Sequence, residues 1–357
     1  MKREKIYYLI ILILSILLFI LKGSILCAIV FLISLLYGLI TMVWMGLSGR
    51  NFEVSGISER IVEKKETLRQ GFSFRNFSRF PLTGSTVSAH VINRLTGDYE
   101  KIDFELSLRN KQEKTNYVEI QDEFCGKIDV TAEKFIISDP LHIFKKEVYI
   151  GKTSGGYVLP EISRVVIPED YLDSYNMESH QYSQYEKGND TGEVFGIKEY
   201  AEGDSLKSIH WKLSAKMDEL MVKIPSFPIE NNIIIILDNV YCMNQSPEKK
   251  TRNDLVELFF SISNELLERN LPHSIGFFDF FTGEFKIEKI SSREDLANSI
   301  PACLSSGFTE NEFGIAEEYI RVLEGTGFSN HFLVTDTAEC DIEKLESYGE
   351  VKVFRAK

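Results

Sequence analysis

Two uncharged apolar runs stand within the first fifty residues, Ile6–Leu21 (IYYLIILILSILLFIL) and Ile25–Leu47 (ILCAIVFLISLLYGLITMVWMGL), parted only by Lys22, Gly23 and Ser24. A helix with one face in water alternates polar and apolar residues, and neither run does. At 1.5 Å per helical residue the second run extends about 34 Å and crosses a hydrocarbon core of about 30 Å. The first reaches about 24 Å, so its flanking Tyr7, Tyr8 and Lys22 have to sit in the interface. The expectation is a transmembrane helical hairpin over residues 1–50 that meets the lipid bilayer through residues 6–47.

A cleaved signal peptide is the bland alternative, because Lys2, Arg3 and Lys5 precede the first run. A signal peptide needs small residues at its cleavage site and a polar mature start, whereas here a longer apolar run follows. Cys27 is preceded by Ser24, Ile25 and Leu26, not by the small residue of a lipoprotein site. Basic residues set the orientation. Lys2, Arg3 and Lys5 precede the hairpin, Arg50, Arg60, Lys64, Lys65 and Arg69 follow it, and Lys22 is alone in the turn. The positive-inside rule then places both termini in the cytoplasm of a multi-pass cell-membrane protein. Cys125, Cys242, Cys303 and Cys340 show no paired spacing, as expected in a reducing compartment.

The remainder is acidic. Residues 1–50 hold five of the 40 Lys and Arg and one of the 53 Asp and Glu, which leaves 35 basic against 52 acidic residues, net −17. Such a body repels phosphate backbones, so no nucleic-acid partner is expected.

From about residue 51 to 159 short alternating runs are broken by Gly, Asn and Pro, among them residues 86–92, 101–108, 116–120, 127–132 and 147–150. Period-two alternation with frequent turn signals predicts an antiparallel β-sandwich. Residues 160–191 are polar and tyrosine-rich, with few aliphatics to bury, and are expected as an exposed linker. After Asn232 strands and helices alternate. Ile233–Leu237 is an unbroken apolar run ending at Asp238, and Leu255, Leu258, Phe259, Ile262 and Leu266 mark one helical face. Helices are predicted near 292–303, 312–324 and 341–347, and strands at 273–280, 284–290, 331–335 and 351–354. That alternation predicts a doubly wound, mostly parallel sheet with helices on both faces.

Gly192–Pro225 carries the densest signal, GEVFGIKEYAEGDSLKSIHWKLSAKMDELMVKIP. Gly203 permits a tight turn, and Asp204 is placed to cap a helix from Ser205 to Lys216. Leu206, Ile209, Leu213 and Met217 would form its buried stripe, with His210, Trp211 and Lys212 on the flank, and Leu220, Val222 and Ile224 would share a strand face. The segment resembles the signature of the domain of unknown function 58 family, G-x-x-F-x-G-x-[RK]-E-Y-x-x-G-D-x-x-[RK]-x-I-x-W-K-x-S-A-[RK]. Gly192, Phe195, Gly196, Lys198, Glu199, Tyr200, Gly203, Asp204, Lys207, Ile209, Trp211, Lys212, Ser214, Ala215 and Lys216 match it. Ser138–Phe144 is similar to that family's Asp-Pro turn. The resemblance covers nearly the whole chain. It implies an N-terminal membrane hairpin, a β domain, and over 192–357 the signature followed by a von Willebrand factor A-like domain. It also implies association with MoxR-type AAA+ ATPases and with other membrane proteins. A docking surface would be built on Tyr200, Gly203, Asp204, His210, Trp211, Lys212 and Lys216.

Domains of the von Willebrand factor A type often hold Mg²⁺ through a D-x-S-x-S loop after the first strand, with a distant Thr and Asp. Here Asp238 is followed by Val240 and Cys242 at the serine positions, and Asp336 is the remote carboxylate. A hard cation wants oxygen ligands, so the pair Asp238 and Asp336 is a degenerate metal site and no cofactor is expected. For catalysis the pieces are Cys242, His273 and Asp238, or His210 with Asp204, without motif spacing, and no phosphate-binding G-x-x-x-x-G-K-[ST] loop is present. The expectation is a membrane-anchored, non-enzymatic protein-binding adaptor or scaffold. A Cys-dependent hydrolase or transferase and a Mg²⁺-dependent ligand-binding domain stay open as alternatives.

Overall fold

The computed structural model describes residues 2–47, 52–57, 60–139, 141, 143–172, 181–201, 204–241, 246–311, 313–323, 327–336 and 342–356, excepting the side chains at 2–4, 181–196, 206 and 224–232. The chain divides into two compact units. One comprises Met1–Asn93, Gly97–Asp122 and Ile128–Tyr157, the other Arg94–Thr96, Glu123–Lys127 and Val158–Lys357.

In the first unit the two apolar runs form helices α1 (Lys2–Lys22) and α2 (Ile25–Leu47). Gly23 turns between them at φ 57°, a left-handed conformation that glycine adopts without strain. Both helices are long and apolar enough to cross a membrane, and nearly all of their large side chains are exposed. A buried core helix would hide such residues, so the pattern suggests membrane anchoring.

Eight strands follow: β1 (Phe52–Gly56), β2 (Arg60–Val62), β3 (Leu68–Asn76), β4 (Leu82–Asn93), β5 (Tyr99–Leu108), β6 (Glu113–Ile120), β7 (Gly126–Ser138) and β8 (Lys145–Val158). They make a three-stranded sheet, β1-β3-β6, and a five-stranded sheet, β2-β8-β7-β4-β5. β3 is antiparallel to β1 and β6, as is β4 to β5 and β7. Alternation decides what is buried. Phe72 and Phe74 of one sheet and Val87, Val130 and Phe135 of the other are fully enclosed, and Phe52 stacks on Phe135 at 4.5 Å between ring centroids. Two sheets meeting through their apolar faces form the sandwich that the period-two pattern predicted.

The second unit is built on β9 (Gln181–Glu199), β10 (Met221–Leu237), β12 (His273–Asp279), β13 (Glu284–Ile290), β15 (Gly327–Val334) and β16 (Glu350–Phe354). The sheet order is β13-β12-β10-β15-β16, with β9 paired to the first part of β10. β10 runs parallel to β12 and β15, β15 parallel to β16, and only β13 and β9 are reversed against their neighbours. Two-residue strands β11 (Val240–Tyr241) and β14 (Thr309–Glu310) pair beside it. The helices are α3 (Trp211–Met217), α4 (Lys249–Glu268), α5 (Arg293–Ser306), α6 (Ile315–Val322) and α7 (Ile342–Glu346). Ile234 and Ile236 face a core with Ile315, Tyr319 and Leu345 of α6 and α7. Ile233, Ile235 and Leu237 lie on the opposite face and are equally buried, which is why the run has no polar alternation. Ser292 caps α5 by accepting from Asp295 N at 3.2 Å, and Gly307 closes it at φ 61°.

Part of the segment expected as an exposed linker is packed or paired, although residues 161–164 and 168–170 are exposed. Ile167 and Leu172 are buried, Tyr171 meets Phe354 edge-on at 5.6 Å, and β9 begins at Gln181. A strand added along the edge of β10 is held by main-chain bonds, which need no apolar pattern in its sequence.

Candidate functional site

β10 and β15 are the adjacent central strands at which chain connections diverge, β10 leading by α4 to β12 and β15 leading by α7 to β16. In open α/β sheets, ligands bind beyond the carboxyl ends of strands at such a switch point. Asp238 ends β10 there, and Thr335 and Asp336 end β15. Asp238 N donates to Val334 O at 2.9 Å, and Thr335 Oγ1 donates to Asp238 Oδ2 at 2.6 Å. The Asp238 carboxylate is therefore turned onto the neighbouring strand end, while Asp336 is exposed.

Next to it Asn239 is 1% exposed and acts as a clasp. Its Nδ2 donates to Phe278 O and Gly307 O, both at 2.9 Å, and its Oδ1 accepts from Phe278 N at 3.0 Å. Val240, at the first serine position of the metal loop, is buried and pairs with Thr309. Cys242, at the second, lies outside the described residues. Among those described, no three His, Cys, Asp or Glu side chains group as metal ligands.

Asp279, at the end of β12, accepts from Phe281 N at 2.9 Å, Ser306 Oγ at 3.2 Å and Lys286 Nζ at 3.3 Å. Desolvation alone would raise its pKa. The amide, the ammonium and the hydroxyl outweigh that and hold the carboxyl below the usual aspartate value. The adjoining turn presents Phe280 and Phe281, each 58% exposed, at the same edge of the sheet. Sequence reasoning passed over Asn239, Thr335 and Asp279. The available signal was their position immediately after or at the end of an apolar strand.

The proposed catalytic pieces do not assemble among the described residues. His273 starts β12, level with the first part of the apolar run of β10, whereas Asp238 follows its end. Five residues at about 3.3 Å each separate the two levels by about 16 Å. His273 Nδ1 donates to Leu271 O at 3.0 Å, so Nε2 accepts from Ser263 Oγ at 2.6 Å, and burial lowers its pKa. It is a satisfied core histidine.

In the signature segment the structure redraws the helix. Leu206–Ser208 is a 3-10 turn, Ile209 bridges to Val222, and α3 starts only at Trp211. Its cap is His210, whose Nδ1 accepts from Leu213 N at 3.2 Å. Asp204 instead accepts from Lys198 Nζ at 2.7 Å and Ala201 N at 2.9 Å, and these two contacts lower its pKa. It closes a turn and caps no helix. Tyr200 N donates to Leu220 O at 2.8 Å, and Ser214 Oγ both donates to His210 O and accepts from Met221 N. Asp218 ends α3 in the left-handed region. Of the expected buried stripe, Ile209 is buried but Met217 is exposed. Of the expected strand face, Val222 is buried but Leu220 is exposed. Trp211 is 67% exposed, and Lys212 and Lys216, four residues apart, share one exposed side of the short helix. Gly203 lies outside the described residues.

Neither a protein-family model nor a curated protein matches this chain. Solved structures give partial likenesses. A CARDB domain from Pyrococcus furiosus is 13% identical, over 30% of this chain and 94% of that one, with a TM-score of 0.22. A β-glucosidase from Listeria innocua is 18% identical, over 30% of this chain and 16% of that one, at 0.19. Likenesses this distant carry no argument about activity. The class that the fold itself defines is a chain of two units, one a β-sandwich with two apolar helices and the other a mixed, doubly wound α/β unit.

Proposed function

We propose that this chain is a membrane-anchored cytoplasmic adaptor of the domain of unknown function 58 type, and that its second unit is a von Willebrand factor A-like domain that binds other proteins, a MoxR-type AAA+ ATPase foremost. The fold reading is supported by the order β13-β12-β10-β15-β16 with a reversed edge strand β13. The adaptor reading rests on one observation above the others: Trp211 is 67% exposed on a helix held by the His210 cap at its start and by the Ser214–Met221 bond at its middle. An indole held in water does little for the fold, whereas Trp is enriched among residues that dominate interfaces. Lys212 and Lys216 on the same short helix suit an acidic partner surface, and Met217 and Leu220 are exposed as well. With Asp238 engaged by Thr335 and Val240 at a ligand position, the switch point is read as a contact surface and not as a cation site.

Co-purification of the full chain in mild detergent, followed by mass spectrometry, tests this. Wild type should recover one AAA+ ATPase that Trp211→Ala and Lys212→Ala lose while staying folded. Equal recovery with all three would remove the docking surface from this segment.

A further inference from the structure

The end of β7 and the start of β8 are joined by a turn that the sandwich core does not need. Asp139 closes it: its carboxylate accepts from Leu141 N at 3.1 Å and from Phe144 N, and its own amide donates to Phe144 O at 3.2 Å. The turn is fastened to the hairpin at three levels. Tyr37 of α2 donates its hydroxyl to the Asp139 carboxylate, Tyr8 of α1 meets Phe144 edge-on at 5.6 Å, and Lys146 Nζ donates to Met45 O at 3.2 Å. Tyr8 also donates to Ser34 O at 2.7 Å, which fixes the register of α1 on α2 at this height.

Held in this way, the turn carries Leu141 outward, 61% exposed. Leu141 and Ile143 line an open apolar cleft of about 530 Å³ with Tyr8, Ile11, Ile33 and Tyr37. The height of that cleft decides what fills it. Counting from Lys5, the last charged residue before the apolar run, Tyr8 lies about 4.5 Å and Ile11 about 9 Å further along α1. On α1 that is the depth of the aromatic belt and the outermost acyl carbons, and on α2 Tyr37 and Ile33 lie about 15 and 21 Å before Leu47, inside the apolar run. Ile6, Leu9 and Ile10, at the same height, are all exposed on α1.

We propose that this turn is a lipid-contacting wedge: Leu141 and Ile143 enter the edge of the acyl-chain region beside Tyr8 and Tyr37, so that the β domain is seated on the bilayer as well as tied to the hairpin. The occupant of the cleft is an acyl chain, because the cleft is continuous with the lipid-facing sides of α1 and α2. A strong anchor then requires no polar headgroup recognition. The inference rests on the membrane-hairpin reading, and its test separates the two.

The full chain, with its native cysteines replaced, is reconstituted in phosphatidylcholine and phosphatidylglycerol vesicles and nitroxide-labelled at one of three sites. Leu141→Cys reports the wedge, Ile29→Cys the hairpin and Tyr117→Cys, on β6 of the sandwich, water. The ratio of collisions with oxygen to collisions with a water-soluble nickel chelate should be several times higher at Leu141 than at Tyr117, approaching that at Ile29. A ratio at Leu141 equal to that at Tyr117, with Ile29 still oxygen-rich, overturns the wedge and leaves the hairpin standing. A nickel-accessible Ile29 overturns both. Tyr37→Phe in the Leu141-labelled chain should lower the Leu141 ratio by freeing the turn, a change that simple surface exposure of Leu141 would not give.

Discussion

His331 sits fully buried in β15, bonded through Nε2 to Tyr319 at 2.9 Å, and among the described residues its Nδ1 has no partner. Burial takes its pKa from 6.5 to about 4. Between those values the unfolded chain takes up a proton that the folded chain refuses, so stability is intact above pH 6.5, is lost as the pH falls through the window, and levels off below about 4. The full loss is about 3 kcal/mol. Urea unfolding of the detergent-solubilised chain at about pH 7 and about pH 4.5 should show most of it. His331→Phe should lower stability at both while flattening the acid limb, leaving the smaller slope from His273, whose pKa burial also lowers. An unchanged slope would place the titration elsewhere. Asn239 makes a second residue-scale case. Alanine there strands Phe278 N, Phe278 O and Gly307 O in a buried place. The expected cost is about 3 kcal/mol, read from the urea midpoint, with binding at α3 untouched.

At the scale of elements, α3 offers a contrast between residues that hold it and residues that it displays. Ser214 ties His210 O to Met221 N, so Ser214→Ala should cost about 1–2 kcal/mol. Trp211→Ala should stay within about 0.5 kcal/mol of wild type in thermal melts, because little of the indole is covered. The same helix shows what the sequence could and could not tell. Ile233–Leu237 announced a central strand because two covered faces demand an unbroken apolar run, and Leu255, Phe259, Ile262 and Leu266 announced α4 because its inward face recurs every turn. Asp204 misled because one short side chain can cap a following helix or close a preceding turn. Lys198, six residues earlier, decided for the turn. Asn239 and Thr335 were illegible as a site, since their partners come from strands far along the chain. Close packing also hides from composition. A Cβ on Gly276 would stand 2.5 Å from the Phe285 ring, so Gly276→Ala should destabilise by about 1–3 kcal/mol by pushing β13 outward.

For the whole molecule the controlling question is which side of a bilayer holds the two folded units, because an adaptor can meet a cytoplasmic ATPase only from the cytoplasm. On the proposed topology the basic residues favour the cytoplasm: Lys2, Arg3 and Lys5 in the first turns of α1 and Arg50, Arg60, Lys64 and Lys65 beyond α2, against Lys22 at the far end of α1. Each misplaced cation would have to cross the hydrocarbon core, whereas the acidic body, at net −17 over residues 51–357, contributes little to the choice. In a cysteine-free chain, Ser24→Cys in the hairpin turn should react with a membrane-impermeant maleimide in intact cells. Ser107→Cys, exposed on β5, should react only after the membrane is permeabilised. The reverse pattern would put the sandwich and the α/β unit outside, away from any ATPase, and would turn the search for partners of Trp211 to extracellular ligands. Labelling of both sites in intact cells would mean that the hairpin does not span, and the exposed apolar faces of α1 and α2 would then need a protein partner instead of lipid.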